Sequence, residues 1–529
     1  MEINTKELFN RKRLDLIVKY LYAKELLEKC DNLYSKDICK DLYIRHILMR
    51  NGGVTSHLET LQKQCVDEYC KEFEKLIYSM KENGFDKNFP AEITTDGLIS
   101  NGSHRIAAAM ALGINTETII KNDGHSWSFE WFNNNGFNNE DKQRILKGYV
   151  DLKSQNSILF VVWNPLIQYT DNIKAIINKY FDLVGDIELD FEDNYIAFIN
   201  SLLEIYERNI AQNNRDESGI LAKAKLLLSN RLSYKVIVAT NESKNTDRSI
   251  EDLSKDCKSE IRNLFDHILP KEIFCTVHSS DGAEESQYLS NILLSPNNVK
   301  YLKMRMDYET DGRLTSLIRN LPTYLKTINV PTQDICVIGT GVLSAIGIQR
   351  HHDSDIDFII SHKHREKFGW GAYHLNEDYE IGVSSKQAQG PILDDVIIHN
   401  DNYHFWFKGI KFTNLDIIKD RKKSKSRPKD SFHLRQIELF EKLHGNINQF
   451  KILQQRIEDE QARRKTLNCI PVAAEFVYSN PVERIFSVKN QINGNTKYKV
   501  ITVLGIKIKF KSKKQREVNY SALYKKDTL

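Results

Sequence analysis

Two aspartates one residue apart follow a glycine turn in the second half of this chain. The segment Ile335-Cys-Val-Ile-Gly339-Thr340-Gly341 reads as a strand closing into a turn, and Ser354-Asp355-Ile356-Asp357 leads into the apolar strand Asp355–Ile360. Side chains alternate along a strand, so Asp355 and Asp357 share one face. Two carboxylates held that close repel each other, at a cost that a divalent cation removes. Mg²⁺, or Mn²⁺ in its place, suits such hard oxygen ligands and shares its shell with phosphates. A glycine-rich turn lets backbone N–H groups approach a triphosphate. The chemistry is in-line attack on a nucleotide phosphate. Asp355 and Asp357 are candidate catalytic residues and metal ligands, with Gly339 and Thr340 as candidate nucleotide contacts. A bare Asp-x-Asp reads equally well as a solvated loop; the glycine turn and the apolar strand favour the metal. The neighbouring His351 and His352 point to different sides of a strand and are expected in turn or surface roles.

This pattern resembles the nucleotidyltransferase fold of the DNA polymerase beta superfamily, whose mark is a hydrophobic residue, Gly-[Gly/Ser], a spacer and Asp-x-[Asp/Glu]. The resemblance covers about 330–440. Thr340 departs from the small residue of the family, and the spacer is slightly long. The resemblance implies a third carboxylate on a later strand. Asp395 in Leu393-Asp-Asp-Val-Ile-Ile398 is the choice, with Asp394 second. It also implies that Lys429, in Arg427-Pro-Lys-Asp430, meets a phosphate.

A second group lies at Asn101-Gly102-Ser-His104-Arg105-Ile-Ala-Ala108. It resembles the Gly-x-His-Arg-x-x-Ala motif of the ParB/sulfiredoxin-like fold, in which the segment opens a helix whose N–H groups and Arg bind phosphate. The resemblance implies that Gly102, His104 and Arg105 contact a nucleotide. The alternative is an ordinary glycine-turn helix start. A third group, Ile261-Arg262 followed by Val277-His278-Ser-Ser-Asp281-Gly-Ala-Glu284, is similar to the catalytic segment of nucleoside diphosphate kinases, where the His carries a phosphoryl group. Trp163 or Asn164 stands where that family has Lys, and Cys275 where it has Asn. His278 is thus a candidate catalytic residue, with a structural or phosphate-binding role as the alternative.

The elements that must position these residues follow from hydrophobic pattern. Residues 1–150 are mainly helical and enclose the second group. Ile158-Leu-Phe-Val-Val-Trp163 is a buried strand run, followed by a helix near 170–182, a strand, a helix near 194–212 and the strand Lys235–Thr240. Residues 300–330 form a helical connector. Further strands are expected at 395–399 and 403–412, and a Leu/Ile/Phe-rich helix at about 431–463. The tail Tyr498-Lys-Val-Ile-Thr-Val-Leu-Gly-Ile-Lys-Ile-Lys-Phe-Lys511 alternates apolar residues with Lys. It is either an edge strand guarded by Lys or a basic patch on anionic lipid. It resembles the endings of bacterial enzymes that build lipooligosaccharide or capsule, glycosyltransferases above all. The expected class is multidomain α/β and α+β: a ParB/sulfiredoxin-like domain (1–150), a ferredoxin-like, nucleoside diphosphate kinase-like domain (151–300), a nucleotidyltransferase domain (301–465) and a basic extension (466–529).

Composition narrows the function. The 529 residues carry 75 Lys+Arg against 71 Asp+Glu, a net charge of +4, too balanced for a protein that coats DNA. Eight cysteines form no CxxC pair, which argues against a structural zinc site and fits a reducing cytosol. The N-terminus has no apolar signal region, and no stretch is long enough to span a bilayer. The expectation is a cytoplasmic, Mg²⁺-dependent nucleotidyl or phosphoryl transferase. It takes an NTP and a sugar or polyol phosphate in cell-surface polysaccharide assembly, with its tail resting on the inner face of the membrane. The alternatives are a nucleic-acid-associated regulatory protein with a ParB-like module, and a glycosyltransferase holding a sugar nucleotide through Asp355-x-Asp357.

Overall fold

The computed structural model describes residues 1–29, 37–51, 66–213, 216–228, 231–243, 248–265, 276–308, 311–349, 355–384, 393–425, 427–442, 486–493, 496–503 and 506–512. His351, His352, Cys275 and the far part of the helix expected to reach 463 lie outside them. The chain forms two compact units, Met1–Leu415 and Asp416–Leu529. The class is multidomain α/β with several mixed sheets. Among the described residues no helix is long and apolar enough to cross a membrane.

The first unit opens with α1 (Asp15–Leu27), α2 (Ile38–Arg50) and α3 (Val66–Asn83), beside a small sheet of β1 (Glu2–Ile3), β2 (Ala91–Ile93), β3 (Ile99–Asn101) and β4 (Thr116–Ile120) in the order β1-β4-β2-β3. Helix α4 (Ser103–Leu112) runs between β3 and β4, and Gly113 at φ +70° ends it in the left-handed conformation that a Cβ disfavours. Helices α5 (Phe129–Asn134) and α6 (Asn139–Lys153) lead to the next sheet.

That sheet holds β5 (Ser157–Trp163), β6 (Asp182–Asp190), β7 (Ser233–Thr240) and β8 (Val277–Ser279), ordered β6-β7-β5-β8 with every neighbour antiparallel. The intervening helices are α7 (Thr170–Tyr180), α8 (Tyr195–Asn213), α9 (Ser218–Leu227) and α10 (Ile250–Phe265). Strand β5 is buried at every residue, which explains its unbroken apolar run. Ile158, Phe160 and Val162 pack against α7 and α10 through Ile173, Ile177, Cys257 and Ile261. Leu159, Val161 and Trp163 join the larger core that also holds Leu14, Ile17, Tyr43 and Phe73.

Helices α11 (Ala283–Leu293), α12 (Pro296–Met304) and α13 (Gly312–Thr327) lead to a six-stranded mixed sheet. Its strands are β9 (Ile335–Val337), β10 (Ile356–Ile360), β11 (Tyr373–His374), β12 (Tyr379–Ile381), β13 (His404–Phe407) and β14 (Ile410–Thr413), ordered β11-β12-β10-β9-β14-β13. Helices α14 (Thr340–Ile346), α15 (Arg365–Phe368) and α16 (Leu393–His399) connect them. The segment expected as one strand at 403–412 is the hairpin β13–β14, turned at Lys408-Gly409 with both residues at positive φ. The strand expected at 395–399 is instead helix α16. Its apolar run, Val396-Ile397-Ile398, is short enough to suit either state, and all three residues are buried there.

A seam of buried charge joins α8 to these later elements. Arg305 Nη1 donates to Glu204 at 2.9 Å, and the Lys408 backbone N–H reaches the other Glu204 oxygen at 2.8 Å. Arg319 forks onto Glu207 at 2.8 and 3.0 Å, and Lys408 Nζ pairs with Glu217 at 2.7 Å. Every carboxylate in the seam faces a cation, the arrangement that makes buried charge tolerable.

In the second unit, α17 (Leu415–Lys425) and α18 (Pro428–Lys442) are tied by Lys422 to His433 at 2.8 Å and by Lys419 to Glu441 at 2.9 Å. The tail forms an antiparallel meander of β15 (Phe486–Asn493), β16 (Thr496–Val503) and β17 (Ile506–Ser512).

Candidate functional site

Strand β9 ends in Ile338 and a turn at Gly339, where φ is +78°. A Cβ at Gly339 would stand 2.6 Å from Asp357 Oδ2, so only glycine lets this turn lie against that carboxylate. The Ile338 N–H donates to the Asp357 carbonyl at 2.8 Å, which locks the turn to β10. Ile356, Phe358 and Ile360 fill the opposite face of β10 and are buried, while Asp355 and Asp357 are half-buried on the face beside the turn. Thr340 begins α14 and is also half-buried.

Strand pairing adds two groups. Strand β12 lies parallel to β10 with Glu380 opposite Asp357, and β11 lies antiparallel to β12 with His374 opposite Glu380. Residues in register on neighbouring strands share a face about 5 Å apart. One row therefore runs Asp357, Glu380, His374 across three strands, with Asp355 flanking it. Ligand atoms of Asp355, His374 and Glu380 all lie within 4.8 Å of one another. Asp355 and Glu380 are half-buried, His374 is exposed, and none of the three side chains has a hydrogen bond or ion pair among the described residues. Carboxylates beside a close backbone turn are oxygen groups of the kind that can hold a hard divalent cation. Glu380 and His374 were not identifiable from sequence alone. Their only local signal is the short alternation at Tyr379-Glu380-Ile381.

Asp395 is not brought to this row. It sits on α16 and accepts from Ser361 Oγ at 2.7 Å, the His362 N–H at 2.9 Å and His362 Nδ1 at 2.9 Å. Ser361 follows the far end of β10, roughly 13 Å along the strand from Asp357 at about 3.3 Å per residue. Asp395 anchors that end of the strand. Asp394 is buried, where it accepts from Ser384 at 2.5 Å. The carboxylate that pairing supplies is Glu380. Lys429 is exposed in the first turn of α18, in the second unit.

At the second group, Gly102 is the N-cap of α4 with φ +93°. A Cβ there would meet Ala91 and Arg105 Nη2, each at 3.1 Å. Arg105 donates to the Phe89 carbonyl, and its half-burial holds its pKa below the usual value. His104 turns inward: Tyr43 Oη and His104 Nε2 are 2.9 Å apart, and the imidazole packs edge-on to Phe73 with centroids at 4.8 Å. Gly102 and Arg105 thus stay together at the helix start, and His104 is half-buried against Tyr43 and Phe73.

His278 lies on β8 and is buried. Burial pushes its pKa down against the pull of Glu285, whose Oε1 is 3.4 Å from Nε2 without hydrogen-bond alignment. Tyr206 packs edge-on at 5.0 Å. Lys223 Nζ donates to Tyr206 Oη at 2.7 Å and sits 4.3 Å over the Trp163 ring. Asn164 donates to the Leu227 and Arg231 carbonyls at 2.7 and 2.9 Å.

Comparison with protein-family models, with curated proteins and with solved structures finds no match for this chain.

Proposed function

We propose that the crevice at Gly339, Asp355, Asp357 and Glu380 carries out divalent-metal-dependent nucleotidyl transfer. The observation behind this reading is the missing Cβ of Gly339 against Asp357, with Glu380 in register on the next strand. A backbone turn and the acidic face of β10 and β12 then lie side by side, a place where a polyphosphate and its counter-ion could meet. Asp355, Asp357 and Glu380 hold Mg²⁺, and the Gly339–Thr340 backbone takes the phosphates. When bound, the ion offsets charge on the attacking and leaving oxygens. The carboxylates fix the direction of approach, and Gly339 keeps the turn close enough to contact the nucleotide. The acceptor is a hydroxyl or phosphate of a sugar or polyol, a class suggested by the alternating basic tail and its likeness to polysaccharide-assembly enzymes.

The finer fold reading supports the same picture. The order β6-β7-β5-β8, with α7 after the first strand, α8 and α9 after the second and α10 after the third, supports a ferredoxin-like reading with two added helices. Burial of His278 and the Lys223–Trp163 stack favour a structural role there over a phosphoryl carrier. Gly102 and Arg105 at the start of α4 support a second nucleotide contact of the ParB/sulfiredoxin-like kind.

The test is a panel of NTPs with Mg²⁺ and sugar or polyol phosphates, scored for pyrophosphate release. Turnover lost in folded Asp357→Ala supports the reading. Turnover unchanged in that variant removes the crevice from the mechanism.

A further inference from the structure

The acidic row ends in an imidazole, and that changes which ion it prefers. His374 stands opposite Glu380 on the edge strand β11, and Asp355 completes a triangle of ligand atoms within 4.8 Å. None of the three side chains makes a hydrogen bond or ion pair with another described residue. A six-coordinate ion with ligands at about 2.1 Å places its donors roughly 3–4 Å apart, so modest side-chain rotation closes this triangle onto one ion. Two carboxylates and one nitrogen are a mixed set. Mg²⁺ gains little from imidazole, whereas first-row transition ions bind nitrogen with strength rising from Mn²⁺ through Co²⁺ to Cu²⁺.

We propose that Asp355, Glu380 and His374 form a binding site for a first-row transition ion, with His374 as the ligand that discriminates against Mg²⁺. The site shares Asp355 and Glu380 with the proposed nucleotide crevice, and its catalytic meaning rests on that reading. Its existence as a metal site does not. Strand register fixes the two residues from β11 and β12, because a slip of one residue in either pairing would turn a ligand to the other face.

The test uses the full chain, without nucleotide, titrated with Mn²⁺ and with Co²⁺. Pulsed electron paramagnetic resonance of the Mn²⁺ form should show nitrogen coupling, lost in His374→Ala. Co²⁺ affinity should fall about tenfold or more in His374→Ala, as expected for loss of a nitrogen ligand, and Mg²⁺ affinity by less than about twofold. Glu380→Gln should weaken both ions. Absence of nitrogen coupling in the native chain, or equal Co²⁺ affinity in His374→Ala, overturns the proposal. Mg²⁺-supported pyrophosphate release without nitrogen coupling rejects His374 alone. Nitrogen coupling lost in His374→Ala, with no turnover on any NTP, upholds the metal site and rejects nucleotidyl transfer.

Discussion

Two groups of acidic residues in the first unit are treated in opposite ways. In the seam, Glu204, Glu207 and Glu217 are each matched by Arg305, Arg319 or Lys408 at hydrogen-bond distance. In the crevice, Asp355 and Glu380 face each other and His374 with no cation bonded to them among the described residues. A carboxylate paired inside the protein commits its charge to holding elements together. One left half-exposed and unmatched keeps its charge for something that arrives from solution. The difference separates structural from functional acids better than residue type does.

The largest expected effect is on the crevice. Asp357→Ala should lower pyrophosphate release by about a thousandfold, since metal stabilisation contributes several kcal/mol. Its melting temperature should stay near that of the native chain, and a collapse in melting temperature would move Asp357 into the structural group. The reverse holds in the seam. Glu207→Ala leaves Arg319 with Glu217 alone and should cost on the order of 1–2 kcal/mol in denaturant unfolding, with turnover of the folded fraction preserved. Gly339→Ala forces a Cβ onto Asp357 Oδ2 at a φ of +78°. It should destabilise by about 1–3 kcal/mol and weaken nucleotide binding, read by titration and melting together.

A pH series sharpens the contrast. Burial lifts the Glu204 carboxyl from 4.5 to about 7, against the pull of Arg305 and Lys408. The unfolded chain releases that proton first, so this group's contribution to stability is full below about pH 4.5. It is lost as the pH rises towards 7, by roughly 1–3 kcal/mol. Unfolding of Glu204→Gln across that window should lack this slope, and an identical slope in both proteins would show that Glu204 ionises normally. The smallest effect is expected at α4. Arg105→Ala should weaken nucleotide binding by only a few-fold, about what one phosphate contact contributes. His104→Ala should leave binding unchanged and lower the melting temperature, because its imidazole packs on Tyr43 and Phe73.

What could be read from sequence was what lies close along the chain. Gly339 and the aspartate pair are separated by one turn and one short helix, and period-two alternation places Asp355 and Asp357 without any tertiary knowledge. The run Ile158–Trp163 announced a strand because it is buried on both faces. Glu380 and His374 reach the site through the pairing of β11, β12 and β10, and pairing partners leave no local mark. Asp395 was misplaced for a related reason. Leu393–Ile398 is too short for its hydrophobic period to distinguish strand from helix, and the helix that forms carries the carboxylate to Ser361. His104 was expected to contact a nucleotide because its motif resembles the ParB/sulfiredoxin-like one, and the structure half-buries its ring against aromatic neighbours from α2 and α3.

The hairpin tip at Lys408 imposes an order of events on biosynthesis. Its amide and ammonium meet glutamates of α8 and the α8–α9 connection across separations of 204 and 191 residues. At roughly 5–20 residues per second, those acids wait on the order of 10–40 s on the ribosome before the lysine emerges. In that interval Arg305 and Arg319 can already answer the three glutamates, and only the Lys408 contacts to Glu204 and Glu217 are outstanding. A truncated product ending before the hairpin would keep the seam's arginines and lack its lysine clasp.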